Sequence, residues 1–254
     1  MTDWVLLRGL TRESAHWGRF VDAMAQAWPA SRVVALDLPG AGSRHAVSAP
    51  RRVADMASDC RDRLLRAGVT APYGLLGLSL GGMVAAQWAA GWPAEVTRCV
   101  LVNTSMRPHG ALRHRLRPQA WARVLRLLLE PDAHARERAV LALTTAFPER
   151  HGAVVDDWVA IGERRPVTRA NALAQLVAAA RFRAPARPLP ADRMLVLCSR
   201  ADRLVDPRCS HRLAEAWGCP LAEHPAGGHD LPLDDPGWVV AAVARAFAAD
   251  GPRE

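Results

Sequence analysis

A chain of 254 residues that is 50% hydrophobic and 23% charged has the size and composition of a globular enzyme, not of a fibrous or disordered chain. Its formal net charge of +8 arises entirely in residues 107–190, which hold 15 arginines against seven acidic residues. No recognition motif accompanies this charge, so nucleic-acid binding is not expected.

The first hundred residues alternate between short apolar runs and amphipathic stretches. Strands are predicted at 4–7, at 32–36, from Tyr73 to the turn at Ser79, and at 96–102, with helices at 14–28, at 52–66 and directly after Ser79. This alternation is typical of a parallel sheet covered by helices on both faces. In such sheets ligands bind beyond the carboxyl ends of the strands.

The alternation stops between Arg107 and Pro190. Helices are predicted there at 111–129, 133–146, 151–164 and 168–182, each with a proline at or near its start. We interpret 107–190 as a helical lid inserted into a core formed by 1–106 and 191–254. Trp121 and Trp158 are candidate substrate contacts in an acyl pocket, with packing inside the lid as the alternative. The positive charge of the lid indicates either solvated helix faces or attraction of an anionic substrate or acyl carrier.

The strand pattern resumes after the lid. Strands are predicted at 194–198 and 220–224, and helices at 207–217 and from Pro236 to about 249. The five cysteines lack C-x-x-C spacing, which favours reduced thiols in a cytoplasmic protein over a disulfide framework or a metal site. The uncharged stretch 67–94 is interrupted by prolines and glycines, so no membrane span is expected.

The pentapeptide Gly77-Leu78-Ser79-Leu80-Gly81 follows an apolar run and precedes a helical pattern rich in small residues. A serine at the apex of a sharp strand-to-helix turn needs residues without bulk two positions before and after it, and glycine meets that need. The pentapeptide therefore predicts a nucleophilic serine, with a capping serine as the alternative.

A serine hydroxyl needs a base within hydrogen-bond reach and an acid that orients the base. His229 follows the last strand in a Gly-Gly turn and is the expected base, whereas His224 lies within the strand. Asp202 follows the preceding strand and is the expected acid, because Asn103 at the other strand end cannot supply a charge. The backbone amides of Leu10 and Leu80 are the expected oxyanion donors.

The chain order Ser79, Asp202, His229 and four local motifs resemble the α/β-hydrolase family along nearly the whole chain. The motifs are the pentapeptide, residues 37–43, residues 199–205 and Gly228-His229. Within the family the chain looks like the small cofactor-free serine esterases, such as the pimeloyl-carrier methyl esterase, and the related lyases of the menaquinone pathway. The family's usual first two strands are missing, which implies about six parallel strands.

A second departure from the family concerns its His-Gly oxyanion turn, where Arg8 replaces the histidine. Only a backbone amide is required from that turn, so hydrolysis should survive the replacement. Arg8 either contacts an anionic group of the substrate, together with Arg12, or forms a structural salt bridge.

The resemblance implies a cofactor-free, metal-free serine hydrolase that cleaves small carboxylic esters or thioesters. Two alternatives use the same fold: a thioesterase or lyase for acyl groups on an acidic carrier, and a homologue that binds ligands without catalysis. The sequence gives no indication of the oligomeric state.

Overall fold

The fold is taken from a computed structural model, which describes residues 2–248. It contains six strands: β1 (Asp3–Leu7), β2 (Val33–Leu36), β3 (Tyr73–Leu78), β4 (Val96–Val102), β5 (Met194–Ser199) and β6 (Leu221–His224). They form one sheet in the order β2-β1-β3-β4-β5-β6, and every pairing is parallel. The expected parallel sheet of about six strands is therefore confirmed.

Helices cover both faces of this sheet. In chain order they are α1 (Phe20–Ala27), α2 (Val53–Arg66), α3 (Leu80–Gly91), α4 (Leu112–Arg115), α5 (Pro118–Leu129), α6 (Ala133–Thr144), α7 (Val154–Arg164), α8 (Arg169–Arg181), α9 (Arg208–Trp217), α10 (Leu231–Asp234) and α11 (Pro236–Phe247). The side chains of β3 alternate between the two faces, as the period of a strand requires. Leu75 packs in a cluster with α2, α3 and α9, and Leu76 packs in a second cluster with α1 and α11.

Two predicted helices are each broken into shorter pieces. The stretch 14–28 becomes a 3-10 turn at Ser14–Trp17 and then α1, because Gly18 adopts a left-handed φ of 49° between them. The stretch 111–129 becomes α4 and α5, because the residue before Pro118 is held in an extended conformation. The expected end of the last helix, near 249, lies outside the described residues.

The five helices α4–α8 all lie between β4 and β5, in the segment interpreted from the sequence as an insertion. They hold a small apolar cluster of their own, in which Leu141 of α6 packs with Trp158 and Ile161 of α7. Two hydrogen bonds join the C-terminal end of α6 to the region after β6. Asp230 N–H, in the loop, donates to Thr144 O at 2.7 Å, and Ala146 N–H donates to the side-chain oxygen Oδ2 of Asp234, in α10, at 2.9 Å. The role of this segment as a lid stays a prediction.

The five cysteines are all buried and free. Among residues 2–248, no helix combines the length and the apolar character needed to cross a membrane.

Candidate active site

Ser79 stands at the turn between β3 and α3 in a strained backbone conformation, with φ 57° and ψ −116°. Two close backbone approaches make this turn possible. A Cβ on Gly77 would collide with the backbone of Gly81, and a Cβ on Gly81 would collide with the carbonyl of Leu7. The backbone of Ser79 is fixed by its N–H bond to Val102 O at 2.9 Å. The glycines of the pentapeptide are thus required by the close packing of backbone on backbone.

His229 and Asp202 form a buried hydrogen-bonded pair. His229 Nδ1 donates to Asp202 Oδ2 at 2.7 Å, and the two residues are 6% and 1% exposed. The other carboxylate oxygen accepts from the backbone N–H groups of Leu204 and Val205 at 2.7 and 2.9 Å. Because both oxygens of Asp202 accept hydrogen bonds, the carboxylate is held in the orientation that fixes the tautomer of His229.

The pKa of His229 is set by two opposing effects. Burial lowers it, but the charge and the hydrogen bond of Asp202 outweigh burial, so the pKa of His229 lies above its usual value of 6.5. Asp230 adds to the increase, and the positive charge of Arg8 opposes it. This balance favours an imidazole that accepts a proton readily, as a general base must.

Asn103, at the end of β4, ties the base loop to the sheet. Its Nδ2 donates to Gly228 O at 3.0 Å, to His229 O at 2.9 Å and to Ser199 Oγ at 3.0 Å, and its Oδ1 accepts from Ser199 N–H at 2.9 Å. From the sequence, Asn103 was excluded as the acid and was given no other role. Its position at a strand end, opposite the acid, was the signal that could have identified it as a positioning residue.

His224 stabilises the same loop and is not available as a base. Its Nδ1 accepts from the N–H groups of Ala226 and Gly227 at 3.2 and 2.6 Å, and its Nε2 lies 3.3 Å from Asp235 Oδ2. With both ring nitrogens engaged, the imidazole of His224 has a structural role.

Ser79 and His229 line the same cavity, which has a volume of about 620 Å³. Among the described residues, no hydrogen bond joins the Ser79 hydroxyl to the His229 ring. Catalytic hydrogen bonds of this kind are commonly long in unliganded enzymes and shorten in the complex with substrate.

The two expected oxyanion donors also border this cavity. A Cβ placed on Gly9 would lie 3.2 Å from Ser79 Cβ, so the turn that carries Leu10 passes directly beside the serine. Leu80 is the first residue of α3, where the N–H groups have no partner inside the helix. Across residues 2–248, neither of these two amides donates a hydrogen bond. Both are therefore free to bind an oxyanion.

Arg8 is buried and forms a salt bridge with Asp230. Its Nη1 and Nη2 donate to the two carboxylate oxygens at 3.0 and 2.6 Å, and its guanidinium stacks on Trp17 at 4.8 Å. Only 2% of Arg8 is exposed. The structure thus shows the salt bridge that the sequence analysis left as one of two roles.

The two tryptophans named as candidate substrate contacts lie away from the cavity wall, and those predictions are corrected. Trp121 of α5 is 46% exposed, and its Nε1 donates to Leu116 O at 2.9 Å. Trp158 is buried in the cluster between α6 and α7 beneath the guanidinium of Arg12, 4.4 Å from its ring. The indole of Trp158 therefore packs inside the inserted segment, whereas that of Trp121 is partly at the surface.

The wall of the cavity contains both apolar and charged side chains. Most of the apolar ones belong to the inserted segment 107–190, and they include Leu116, Val124, Leu127 and Leu176. The polar and charged ones include Arg12, Glu13, His16, Arg136, Glu137 and Arg165. The site can therefore hold an apolar chain and a polar group at once.

One cluster in the described part of the chain has the side chains to bind a metal ion. The ligand atoms of Cys198, His211 and Glu223 lie within 4.8 Å of one another. Glu223 already has two partners, with His211 Nε2 at 2.8 Å and Arg200 Nη2 at 2.8 Å, and burial raises the pKa of the Cys198 thiol to about 12. The cluster is therefore explained as a polar network between β5, β6 and α9.

The chain is similar in sequence to a known protein family and to named relatives. A family model described as the alpha/beta hydrolase family matches residues 4–242. RutD of Serratia proteamaculans, provisionally named a carbamate hydrolase, is 29% identical over 236 residues, which cover 91% of this chain and 85% of RutD. RutD of Escherichia coli K12 is 28% identical over 250 residues, with 91% and 86% covered.

Solved structures share the fold. Esterase RhEst1 from Rhodococcus sp. ECU1013 superposes with a TM-score of 0.75 at 23% identity, covering 98% of this chain and 91% of its own. The enol-lactonase from Burkholderia xenovorans LB400 superposes with a TM-score of 0.76 at 20% identity, covering 98% and 92%.

Proposed function

Since the chain belongs to the alpha/beta hydrolase family, we propose that it is a serine hydrolase that cleaves carboxylic esters or thioesters through an acyl-enzyme on Ser79. The observation that carries the proposal is the buried 2.7 Å hydrogen bond between His229 and Asp202, on the same cavity as the strained Ser79. A serine, an imidazole and an orienting carboxylate are the groups that acyl transfer needs.

In the proposed reaction, Ser79 Oγ attacks the acyl carbon while His229 Nε2 accepts the hydroxyl proton. Asp202 stabilises the imidazolium that forms and keeps Nε2 directed at the serine. The negative charge on the carbonyl oxygen is stabilised by the amides of Leu10 and Leu80, each worth roughly 10²–10³ in rate. His229 then protonates the leaving alcohol or thiol, and a water molecule attacks the acyl-enzyme by the same route in reverse.

The first test uses 4-nitrophenyl esters of graded chain length. The expected result is a burst of nitrophenolate equal to the enzyme concentration, followed by slower steady turnover, with the burst abolished in Ser79→Ala. Ser105→Ala is the matched control, because Ser105 also lines the cavity and bonds only to the carbonyl of Arg115 at 3.4 Å. Turnover that persists in Ser79→Ala would refute the proposal.

A second candidate substrate class is the carbamates, favoured by the provisional names of the two relatives that cover 91% of this chain. The same three groups would attack a carbamate carbonyl, which is less electrophilic because its nitrogen donates electrons. A comparison of 4-nitrophenyl carbamate with 4-nitrophenyl acetate decides between the classes, with each kcat/KM divided by the rate constant of uncatalysed hydrolysis. A higher quotient for the carbamate would assign the chain to carbamate hydrolysis, and a higher quotient for the ester would exclude that assignment.

A further inference from the structure

Arg12 is the last residue of the turn that carries the expected oxyanion donor Leu10. The turn is closed by a bond from Arg12 N–H to Gly9 O at 3.3 Å, and Gly9 packs against Ser79. The Cα atoms at the two ends of such a turn are less than about 7 Å apart. Arg12 therefore starts a short distance from the nucleophile, and it forms part of the cavity wall.

The guanidinium of Arg12 has donor capacity that the protein leaves unused. Its Nη1 contacts Glu137 Oε2 at 2.7 Å and His16 Nε2 at 3.0 Å, while its Nη2 is buried with no hydrogen-bond partner. The face of the guanidinium lies on Trp158. An unpaired N–H on a stacked, buried guanidinium is costly until an acceptor binds to it.

The charges around the cavity do not cancel. Six arginines and four acidic residues line it: Arg8, Arg12, Arg115, Arg136, Arg165 and Arg169 against Glu13, Glu130, Glu137 and Asp230. Arg115 is 8% exposed and bonds only to the carbonyls of Ala179 and Ala180, so no described carboxylate neutralises it. Burial and the charges of Arg12 and Arg8 strongly lower the pKa of His16, which leaves that ring neutral. The cavity wall thus carries an excess of positive charge.

We propose that Arg12 forms a subsite for a carboxylate on the acyl part of the substrate, so that the preferred substrates are monoesters or monothioesters of short dicarboxylic acids. The inference rests on the proposed serine hydrolase function. An acyl group on Ser79 stays beside the Gly9–Arg12 turn through both half-reactions, so a carboxylate bound to Arg12 would position the carbonyl in each. Glu137 competes with the substrate carboxylate for the guanidinium of Arg12. This competition sets how strongly the enzyme prefers substrates that carry a carboxylate.

The test is the ratio of kcat/KM for mono-4-nitrophenyl glutarate to that for 4-nitrophenyl pentanoate, which differ by a carboxylate in place of a methyl group. Arg12→Met should lower this ratio at least tenfold, because the cation is lost. Glu137→Gln should raise the ratio severalfold, because Arg12 loses its competing anion. Arg123→Met, an exposed residue of α5 outside the cavity, removes the same charge and should leave the ratio unchanged.

Arg12→Met leaves Glu137 buried without its main partner, so the double variant Arg12→Met/Glu137→Gln is measured beside it. The double variant should fold like the wild type by circular dichroism and give the same low ratio as Arg12→Met. A ratio that is unchanged in both, with turnover still dependent on Ser79, overturns the subsite and leaves the serine hydrolase proposal intact. Ester turnover that does not depend on Ser79 overturns the underlying function instead.

Discussion

Replacing Asn103 by leucine should destabilise the fold and misplace the base at the same time. The amide makes four hydrogen bonds in a site that is 2% exposed, and two of them go to the carbonyls of Gly228 and His229. Leucine has nearly the same shape but offers neither a donor nor an acceptor. Asn103→Leu therefore removes the hydrogen bonds without opening a large cavity.

The loss of stability in Asn103→Leu follows from the groups that are left without hydrogen-bond partners. The N–H of Ser199 and the two carbonyls stay buried, and each lost bond costs about 1 kcal/mol. The φ of Asn103 is 46°, in the left-handed region that asparagine tolerates better than leucine. The strain on leucine there adds about 1 kcal/mol to the loss of stability. The free energy of unfolding should fall by about 4 kcal/mol. Since small displacements of a catalytic group cost up to about 10²-fold, kcat/KM should fall by about 10- to 100-fold.

Urea denaturation measures the loss of stability, and ester hydrolysis under folded conditions measures the loss of kcat/KM. Asn171→Leu is the matched control, because Asn171 is also buried and makes a similar set of four bonds, to the backbone of 40–49 and away from the base loop. That variant should lose stability and keep kcat/KM. If the two variants lose activity equally, or if Asn103→Leu loses less than 1 kcal/mol, the positioning role of Asn103 is refuted.

Asp202→Asn should lower kcat by about 10³–10⁴-fold, measured by steady-state hydrolysis, because the imidazole loses the partner that fixes its tautomer. In the wild type kcat/KM should rise with pH through an apparent pKa above 6.5, since the active form of His229 is neutral and Asp202 raises its pKa. In Asp202→Asn the effect of Asp202 is lost, while burial and the charge of Arg8 still lower the pKa of His229, so the residual rate should rise at lower pH. If the pH profile does not shift, the rise in kcat/KM belongs to the titration of another group. Gly81→Ala should lower the free energy of unfolding, measured by urea denaturation, by about 3 kcal/mol, because the new Cβ would collide with the Leu7 carbonyl. Gly91 has open space around it, so Gly91→Ala should raise the same free energy by about 0.5–1 kcal/mol. Equal effects at the two glycines would contradict the backbone contact.

Much of the sheet could be predicted because its strands are short, apolar and bounded by turn residues. The positions of Ser79, Asp202 and His229 at three strand ends then followed from the parallel order, since carboxyl ends of parallel strands share one edge. The helix breaks at Gly18 and before Pro118 were missed. The apolar pattern continues through both, and only the backbone conformation separates the pieces.

The substrate contacts were the least predictable part of the site. An apolar residue on an amphipathic helix can face the cavity, the interior of the insertion or the outside, and the sequence period does not distinguish these. Val124 of α5 lines the cavity, while Trp121 of the same helix is not among the lining residues and is 46% exposed. The partner of Arg8 is Asp230, 222 positions along the chain, so the pair depends on the fold and not on local sequence.

The most direct test of Ser79 as the nucleophile is to locate the covalent adduct formed with a fluorophosphonate, which reacts with serines activated by a neighbouring base. We expect one adduct per chain, mapped by peptide mass spectrometry to Ser79 and lost in His229→Ala. An adduct on Ser105 or any other serine, in enzyme that hydrolyses esters, would contradict the assignment of Ser79.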